Sequence, residues 1–232
     1  MLQSILFGPL LGAVLTGFFY KQLGEKLAIS ISVVILFIVA LFSWFVFFEL
    51  DHTQVKEIVF FTWIKSGELT VEWGIRLDSL TAIMLVVVNT ISAFVHLYSI
   101  GYMSNDPNWG IKEEYRSRFF SYLSLFTFAM LMLVTSNNLV QLFFGWEGVG
   151  LASYLLIGFY YKKQSANAAA VKAFIVNRVG DVGLALAVFS TFLMVGSLSF
   201  SELFAAAPRL SELQMKFWVF ELSAIEFIAI LF

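Results

Sequence analysis

The chain has 232 residues, of which 60% are hydrophobic and 18% aromatic, and its mean hydropathy is +0.87. Only 13% are charged, about half the share of an ordinary soluble domain, and the net charge is −2. This composition excludes a soluble domain and gives no support for a nucleic-acid partner. Cysteine is absent from the sequence, which excludes disulfides, thiolate-ligated iron–sulfur clusters and covalent c-type haem in this chain.

Six apolar runs are long enough to cross a bilayer, which needs about 20 mainly apolar residues. We predict membrane spans at 2–20, 27–48, 79–100, 119–136, 138–160 and 168–195. A seventh run begins near Leu222 and reaches Phe232 after about ten residues, too few to cross. The sequence is therefore expected to be a fragment or truncated product that stops inside a seventh helix.

Two segments between the spans read as structure outside the membrane. The segment 49–78 holds "IVFFTWI" and "LTVEWGI" around a Ser-Gly turn, which predicts a β-hairpin. The segment 197–221 mixes apolar and charged residues, which indicates one or two helices lying at the interface. We predict an all-α integral membrane protein with six complete transmembrane helices and the start of a seventh. The whole chain, 1–232, forms one membrane domain with 49–78 as an extramembrane hairpin.

Lysine and arginine set the expected orientation, because loops on the inner side of a membrane are enriched in them. With the N-terminus outside, the inner loops hold Lys21, Lys26, Lys112, Arg116, Arg118, Lys162 and Lys163. The outer loops hold Lys56, Lys65, Arg76, Arg209 and Lys216. The inner loops are much shorter and their density of basic residues is higher. We therefore predict that the N-terminus and the hairpin lie on the outer face.

A lone carboxylate, Glu147, lies about ten residues into the fifth span, near the expected centre of the bilayer. Insertion scales put a charge there at a cost of roughly 2.5–3.5 kcal/mol, and such residues commonly mark ion paths. The alternative is a structural carboxylate hydrogen-bonded to neighbouring helices. Tyr154 lies seven positions on and is expected on the same helix face. Gly145, Gly148 and Gly150 allow another helix or water to come near.

The sixth span carries Lys172, Arg178 and Asp181. Arg178 and Asp181 are three positions apart and are expected to be neighbours, either as a neutralising ion pair or as part of a relay. Lys172 lies near the membrane edge, where its side chain can reach the surface. If the fifth and sixth spans form an antiparallel hairpin, Glu147 lies at the depth of Asp181. We therefore expect these two carboxylates to be neighbours.

Other signals are weaker. His96, near the end of the third span, is expected to be a hydrogen-bonded interfacial histidine. Arg76 and Asp78 are expected to cap the start of that span. "GVGLAS" nearly matches a dinucleotide-binding loop but lies inside a span with no preceding strand, so we reject that interpretation.

The stretch from Phe143 to Asp181, "FFGWEGVGLASYLLIGFYYKKQSANAAAVKAFIVNRVGD", resembles a known family. It is similar to the large antiporter-like subunit of respiratory complex I, and the earlier spans fit that family in order and length. The resemblance implies that Glu147 is a proton-path residue that pairs with a lysine on a broken seventh helix, beyond Phe232. It also implies a functional Asp181 and a Lys172 near the same path, and Arg178 in "NRVGD" favours this family over its relatives.

The resemblance implies a proton-translocating membrane subunit of NADH:quinone oxidoreductase, which couples quinone reduction to proton transport. No redox site, cofactor or metal is then expected in this chain, and NADH, FMN, iron–sulfur clusters and quinone would be bound by other subunits. The implied partners are the other membrane and peripheral subunits, the lipid bilayer and protons. The implied location is a bacterial inner membrane or the mitochondrial inner membrane. The alternatives are a subunit of a multisubunit sodium/proton antiporter and a truncated structural remnant.

Overall fold

The structure is a computed structural model that describes residues 1–67, 69–104, 106–110, 114–217 and 220–232. Lys112, counted above for the orientation, lies outside the described residues. The elements, in chain order, are α1 Leu2–Gly17, α2 Tyr20–Leu23, α3 Glu25–Glu49, β1 Lys56–Ser66, β2 Leu69–Leu77, α4 Ser79–Tyr102, α5 Tyr115–Val134, α6 Leu139–Ile157, α7 Gln164–Val195, α8 Phe200–Glu212, β3 Gln214–Phe217, β4 Phe220–Ser223 and α9 Ala224–Leu231.

Five helices of the described chain, α3 to α7, are long and apolar enough to cross a membrane. They correspond to the predicted spans at 27–48, 79–100, 119–136, 138–160 and 168–195. The prediction of six complete spans is not confirmed, because α1 has only 16 residues and is about 24 Å long. It ends at Gly17, a residue type that disfavours helix interiors, and α2 follows as a separate short helix.

The start of a seventh spanning helix is likewise not confirmed, although the last apolar run is helical. It forms α9, which has eight residues. Ser223 caps α9 by accepting from the backbone N–H of Glu226, and the Glu226 carboxylate accepts from the backbone N–H of Ser223. This reciprocal capping fixes where the helix begins.

Helix α5 is the centre of the bundle and packs against α1, α3, α4 and α6. The side chains of Leu36, Leu85, Phe120 and Leu131 are fully buried between these helices. Helix α7 packs on the other side of α6 and also contacts α8 and α9. The order α5, α6, α7 therefore places α6 between the packed bundle and the more open α7.

The predicted hairpin is present as an antiparallel β1–β2 pair, in which Ile58 lies opposite Ile75. Its turn contains Gly67 at φ +57°, a conformation that suits glycine. Val71, Ile75 and Leu77 of β2 are buried, while most of β1 is exposed. The hairpin therefore covers one end of the bundle with β2 as its inner strand.

The segment 197–221 differs in part from its prediction. Helix α8 is amphipathic, as expected for an interfacial helix. It is followed by a second antiparallel hairpin, β3–β4, where the sequence analysis expected helix. The sequence of this hairpin alternates polar and apolar residues, Gln214 and Lys216 with Met215 and Phe217, which is the period of a strand. The mean composition of the whole segment conceals that alternation.

The connections gather on two opposite faces. On one face the Arg76 backbone N–H donates to the Thr135 carbonyl at 2.9 Å, and Asn138 pairs with Ser199 in an isolated β-bridge. On the other face the Tyr20 hydroxyl donates to Glu114 at 2.8 Å, which joins the α1–α3 and α4–α5 connections. The basic residues predict that the face with Tyr20 and Glu114 is on the inner side of the membrane, and this orientation stays a prediction.

Candidate functional site

Glu147 lies in the third turn of α6 and meets a positive charge from the neighbouring helix. The Arg178 guanidinium on α7 donates from Nη1 to Glu147 Oε1 at 2.5 Å. The side chains of Glu147 and Arg178 are 26% and 46% exposed in this chain, so the pair lies on the open side of α6. The predicted partner was a lysine beyond Phe232, whereas the structure supplies a guanidinium from the same chain.

The same guanidinium nitrogen reaches a second carboxylate. Arg178 Nη1 lies 3.4 Å from Asp181 Oδ2, as their three-residue spacing on α7 predicted. The Asp181 side chain is only 8% exposed, and its other oxygen accepts from Trp146 Nε1 at 2.7 Å. Glu147 and Asp181 are therefore neighbours bridged by one arginine. Two carboxylates share one permanent positive charge, because arginine does not deprotonate in proteins.

These groups line a cavity of about 450 Å³ between α5, α6 and α7. Its polar side includes Ser153 and Asn177 with the charged groups, and its apolar wall comes from Phe126, Met130 and Leu133 of α5. Gly150, one of the glycines expected to let a helix or water come near, also lines it. A cavity of this volume with polar groups has room for several water molecules. The Glu147 carboxylate therefore lies at a cavity that has room for water beside it.

Glycine brings α6 into contact with the backbone of α5. A Cβ atom added at Gly145 would lie 2.5 Å from Leu133 N and 2.6 Å from Leu133 Cα. At Gly148 it would lie 3.1 Å from the Cβ of Ala129. The small residues expected from the sequence thus let two helices approach closely, and this contact fixes the position of Glu147 two residues after Gly145.

Two residues that the sequence analysis associated with this site lie elsewhere. Lys172 is exposed on α7 and is not among the residues that line the cavity. Tyr154 lines a different cavity, with Arg118 and Tyr122, and its ring centroid lies 5.5 Å from that of Phe174. The structure therefore brings Glu147, Arg178 and Asp181 together, and the role of Lys172 stays a prediction.

Trp146 is a site residue that sequence reasoning missed. An indole N–H inside an apolar span needs an acceptor, and acceptors there are few. Its position beside Glu147 was visible in the sequence, but the direction of its side chain depends on how α6 is rotated against α7. The tryptophan supplies the hydrogen-bond donor to Asp181 Oδ1.

The His96 ring is hydrogen-bonded, as expected, and its depth in the membrane stays a prediction. The ring is fully buried between α4 and α5, with Nδ1 2.8 Å from the Ser92 carbonyl oxygen and Nε2 3.1 Å from Ser124 Oγ. Helix α4 continues to Tyr102, so His96 lies almost two turns inside its end.

The start of α4 is capped as predicted. Asp78 accepts from the Thr81 backbone N–H at 2.8 Å, and Arg76 lies 3.5 Å from Asp78 and 2.9 Å from Glu57. Burial opposes ionisation of Asp78, but the hydrogen bonds from Thr81 and the Arg76 charge outweigh it and lower the pKa of this carboxyl. These groups lie outside the spans and stabilise the junction of hairpin and helix.

Within the described part of the chain, no group of three or more His, Cys, Asp or Glu residues could hold a metal ion. The "GVGLAS" sequence lies inside α6, which agrees with the rejection of a dinucleotide-binding loop.

Comparison with known sequences points to one family. The family described as "NADH-Ubiquinone oxidoreductase (complex I), chain 5 N-terminus" matches residues 63–120, and "NADH:quinone oxidoreductase/Mrp antiporter, TM" matches 136–231. NADH-quinone oxidoreductase subunit L of Rhodobacter capsulatus is 55% identical over 100% of this chain and 32% of the relative. NADH-ubiquinone oxidoreductase chain 5 of Chondrus crispus is 46% identical over 99% of this chain and 34% of the relative. The chain therefore spans about a third of the length of these curated relatives.

Two solved structures share the fold. One is the membrane-bound sulfane sulfur reductase, an archaeal respiratory membrane complex, with a TM-score of 0.70 and 16% identity over 89% of this chain and 40% of the other. The second is the Mrp complex from Dietzia sp. DQ12-45-1b, with a TM-score of 0.69 and 22% identity over 90% of this chain and 22% of the other. At these identities the structures show the fold alone. The sequence matches carry the assignment, and by them the chain belongs to the family of chain 5, or subunit L, of NADH:quinone oxidoreductase, complex I, and matches its N-terminal part.

Proposed function

We propose that the chain works in proton translocation as part of the membrane arm of NADH:quinone oxidoreductase. The observation that carries this proposal is the Glu147–Arg178–Asp181 group inside two membrane-spanning helices. An ionisable group in a span is costly unless it is paired or meets water, and such groups mark ion paths. In a chain of this family, the transported ion best matched to a carboxylate beside a guanidinium is the proton.

The geometry suggests how the group handles a proton. When Glu147 is ionised, Arg178 binds it at 2.5 Å and lies farther from Asp181, at 3.4 Å. When Glu147 takes up a proton its negative charge is lost, and the guanidinium is then drawn to Asp181, which Trp146 holds in place. The return of Arg178 to Glu147 favours release of the proton. Protonation of Glu147 and the position of Arg178 are therefore coupled.

This proposal assigns the other parts of the reaction to other subunits. NADH, FMN, iron–sulfur clusters and quinone are bound outside this chain, whose partners are the membrane and peripheral subunits of the complex. The chain is a multi-pass protein of a bacterial inner membrane or the mitochondrial inner membrane, and its substrate is the proton. Lys172, exposed on α7, is proposed to lie toward one end of the path rather than in the cavity.

Substitution of Glu147 tests the proposal in the full-length protein within its assembled complex. Glu147→Gln keeps the shape and a hydrogen bond to Arg178 but cannot carry a proton, so proton pumping should fall severely while assembly is retained. Glu147→Asp keeps the carboxylate about one methylene back and should retain part of the pumping. Pumping is measured in proteoliposomes with a pH-sensitive dye, against NADH oxidation in the same sample.

Glu57→Gln is the matched control. It also removes a carboxylate that pairs with an arginine, at 2.9 Å, but on the hairpin outside the spans. It should leave pumping unchanged. Wild-type pumping in an assembled Glu147→Gln complex would make Glu147 a structural residue and would refute the proposal.

The alternative functions predict different partners. A subunit of a sodium/proton antiporter has support from the fold shared with the Mrp complex, and a structural remnant would have neither activity. Affinity purification of the tagged protein from its native membrane separates these functions. Flavin and iron–sulfur subunits in the eluate support complex I, antiporter subunits support the alternative, and neither would indicate a remnant.

A further inference from the structure

A second set of polar side chains is buried in the bundle, on a different face of α5 from the Glu147 cavity. We call it the histidine seam and define it as Ser32 of α3, Ser92 and His96 of α4, and Ser124 and Thr127 of α5. Ser32, His96 and Ser124 are fully buried, Thr127 is 2% exposed and Ser92 is half-buried. Burying so many polar groups inside apolar helices is costly unless each is hydrogen-bonded.

The side chains of the seam form a continuous hydrogen-bonded chain. Ser32 Oγ lies 3.0 Å from Ser124 Oγ, which lies 3.1 Å from His96 Nε2. On the other side of the ring, Nδ1 lies 2.8 Å from the Ser92 carbonyl oxygen and 3.3 Å from Ser92 Oγ. Ser92 Oγ lies 2.6 Å from Thr127 Oγ1. Three helices are thus linked through one imidazole.

The network assigns the tautomer of the ring. A carbonyl oxygen only accepts, so the hydrogen of the neutral ring is on Nδ1 and is donated to the Ser92 carbonyl. Nε2 then accepts from the Ser124 hydroxyl, and Ser124 in turn accepts from Ser32. The hydrogen bonds therefore all run in one direction, from Ser32 towards Nε2.

Two buried oxygens without a partner in the described residues lie beyond the two ends of the seam. Asn89 donates to Ser43 Oγ at 2.8 Å, but its Oδ1 accepts nothing from the described chain. Ser117 Oγ, also fully buried, is likewise without a partner there. Asn89 lies seven residues before His96 on α4, and Ser117 lies seven residues before Ser124 on α5, so both share the faces that form the seam. Buried polar atoms of this kind are commonly satisfied by ordered water.

We propose that the histidine seam is a proton relay, separate from the Glu147 cavity, with His96 as the residue that takes up and releases the proton. This inference rests on the proposed proton translocation but does not depend on Glu147 being its route. A proton passed along the hydroxyls of Ser32 and Ser124 is bound at Nε2. The Nδ1 hydrogen then leaves to Ser92 Oγ, while that hydroxyl gives its own hydrogen to Thr127 Oγ1. The Thr127 hydrogen, which is donated to the Leu123 carbonyl at 3.0 Å in the structure, turns from that carbonyl and passes to a water molecule.

In this series of transfers one proton enters the seam and one leaves it. Reorientation of the ring and of the hydroxyls then restores the starting tautomer. Among the described residues, the ring makes hydrogen bonds with Ser92 of its own helix and Ser124 of α5, and an aromatic contact with Phe120 of α5. None of these is charged, and Ser32 of α3, one bond further along, is neutral too. A protonated ring therefore has no counter-ion among these contacts and is short-lived, as a relay requires.

Helix α1 closes the seam from outside. A Cβ atom added at Gly12 would lie 2.9 Å from Ser32 Oγ and 3.5 Å from Ser124 Oγ, so the α1 backbone covers the pair of hydroxyls directly. Thr16 lies one turn later on α1 and is fully buried, and its hydroxyl donates to the Gly12 carbonyl at 2.7 Å. The α1 backbone thus shields this pair of hydroxyls from lipid.

The test compares variants in the full-length protein within its assembled complex, by proton flux per NADH oxidised. His96→Gln can still donate and accept hydrogen bonds but cannot bind a proton, so its flux should fall as far as that of His96→Ala. Ser124→Ala cuts the link to Nε2 and should lower the flux as well, whereas Ser124→Thr keeps the hydroxyl and should retain it. Ser121→Ala, one turn away, is the matched control, because that hydroxyl donates to the Ala13 carbonyl outside the seam.

The outcomes separate this inference from the proposed function. Wild-type flux in His96→Gln, with or without a defect in His96→Ala, would show that His96 only holds the helices together and would overturn the relay. If that occurs while Glu147→Gln abolishes flux, the proposed function stands without the seam. If neither substitution affects flux in an assembled complex, the proposed function itself fails. If His96→Gln does not assemble, Ser124→Ala, which removes a single oxygen atom, decides in its place: reduced flux supports the relay and wild-type flux overturns it.

Discussion

Gly145→Ala should move α6 away from α5 and disturb the Glu147 site without touching any charged group. The added Cβ would lie 2.5 Å from Leu133 N, whereas ordinary contacts begin at 3.4 Å, so the helices must separate by about 0.9 Å at this level. The obstacle is backbone, which cannot rotate aside as a side chain can. Overpacking of this kind costs about 1–3 kcal/mol of stability.

The shift should reach function because Glu147 follows Gly145 by two residues. A misplacement of about 1 Å can cost on the order of a hundredfold in a reaction that depends on geometry. We expect a lower melting temperature in detergent and a pumping defect larger than the loss of assembled complex. Both are measured on the purified full-length complex, with melting followed by the loss of folded protein on heating.

Gly101→Ala is the matched control, because it makes the same chemical change inside α4, where an added Cβ meets nothing within 4 Å. It should be neutral or slightly stabilising, since alanine favours helix by about 1 kcal/mol over glycine. If Gly145→Ala melts and pumps like the wild type, the close contact between α5 and α6 does not position Glu147 and the reasoning fails.

Three further predictions concern the β1–β2 hairpin and the connections between the spanning helices. The buried Gln141 amide makes two hydrogen bonds to Gly74, one with its backbone N–H at 3.0 Å and one with its C=O at 2.8 Å. Gln141→Leu removes both and should lower the stability of the hairpin by about 1–3 kcal/mol for each group left unpaired. The hairpin should therefore become more sensitive to protease. Asp78→Asn should lower the melting temperature at pH 7, because the lowered pKa of Asp78 means that its charge stabilises the fold above the ordinary aspartate pKa. That difference should shrink as pH falls through the pKa of the folded state, and an equal difference at pH 3 would contradict it. Leu23→Cys, on the α1–α3 connection, should react with an impermeant thiol reagent only from the inner side of the membrane, and labelling from outside would reverse the predicted orientation.

The spanning helices could be predicted from the sequence because a long apolar run has few alternatives to helix in a membrane. The first span is not confirmed because α1 ends at Gly17, before the apolar run itself ends at Tyr20. The β3–β4 hairpin was missed because its strands have four residues each, and so short an alternation is lost within a mixed segment.

The depth of the site residues along their helices could be predicted from the sequence, but the rotation of each helix about its own axis could not. Counting back from the α6–α7 connection placed Glu147 and Asp181 at one level, and the three-residue spacing paired Asp181 with Arg178. The sequence does not say how far each helix turns about its axis. That angle decides that Arg178 reaches Glu147, that Trp146 reaches Asp181, and that Lys172 does not reach the cavity.

The two hydrogen bonds between the Gln141 amide and the Gly74 backbone hold α6 at a second place, in addition to its close contact with α5. Both attachments are short and made to backbone, so α6 behaves as the stationary part of the site. Across the cavity, Arg178 belongs to α7 and is 46% exposed, with a flexible side chain that spans two carboxylates. In the proposed function the moving part is therefore Arg178 on α7: a swing of its side chain would change which carboxylate holds the guanidinium, while Glu147 keeps its place on α6.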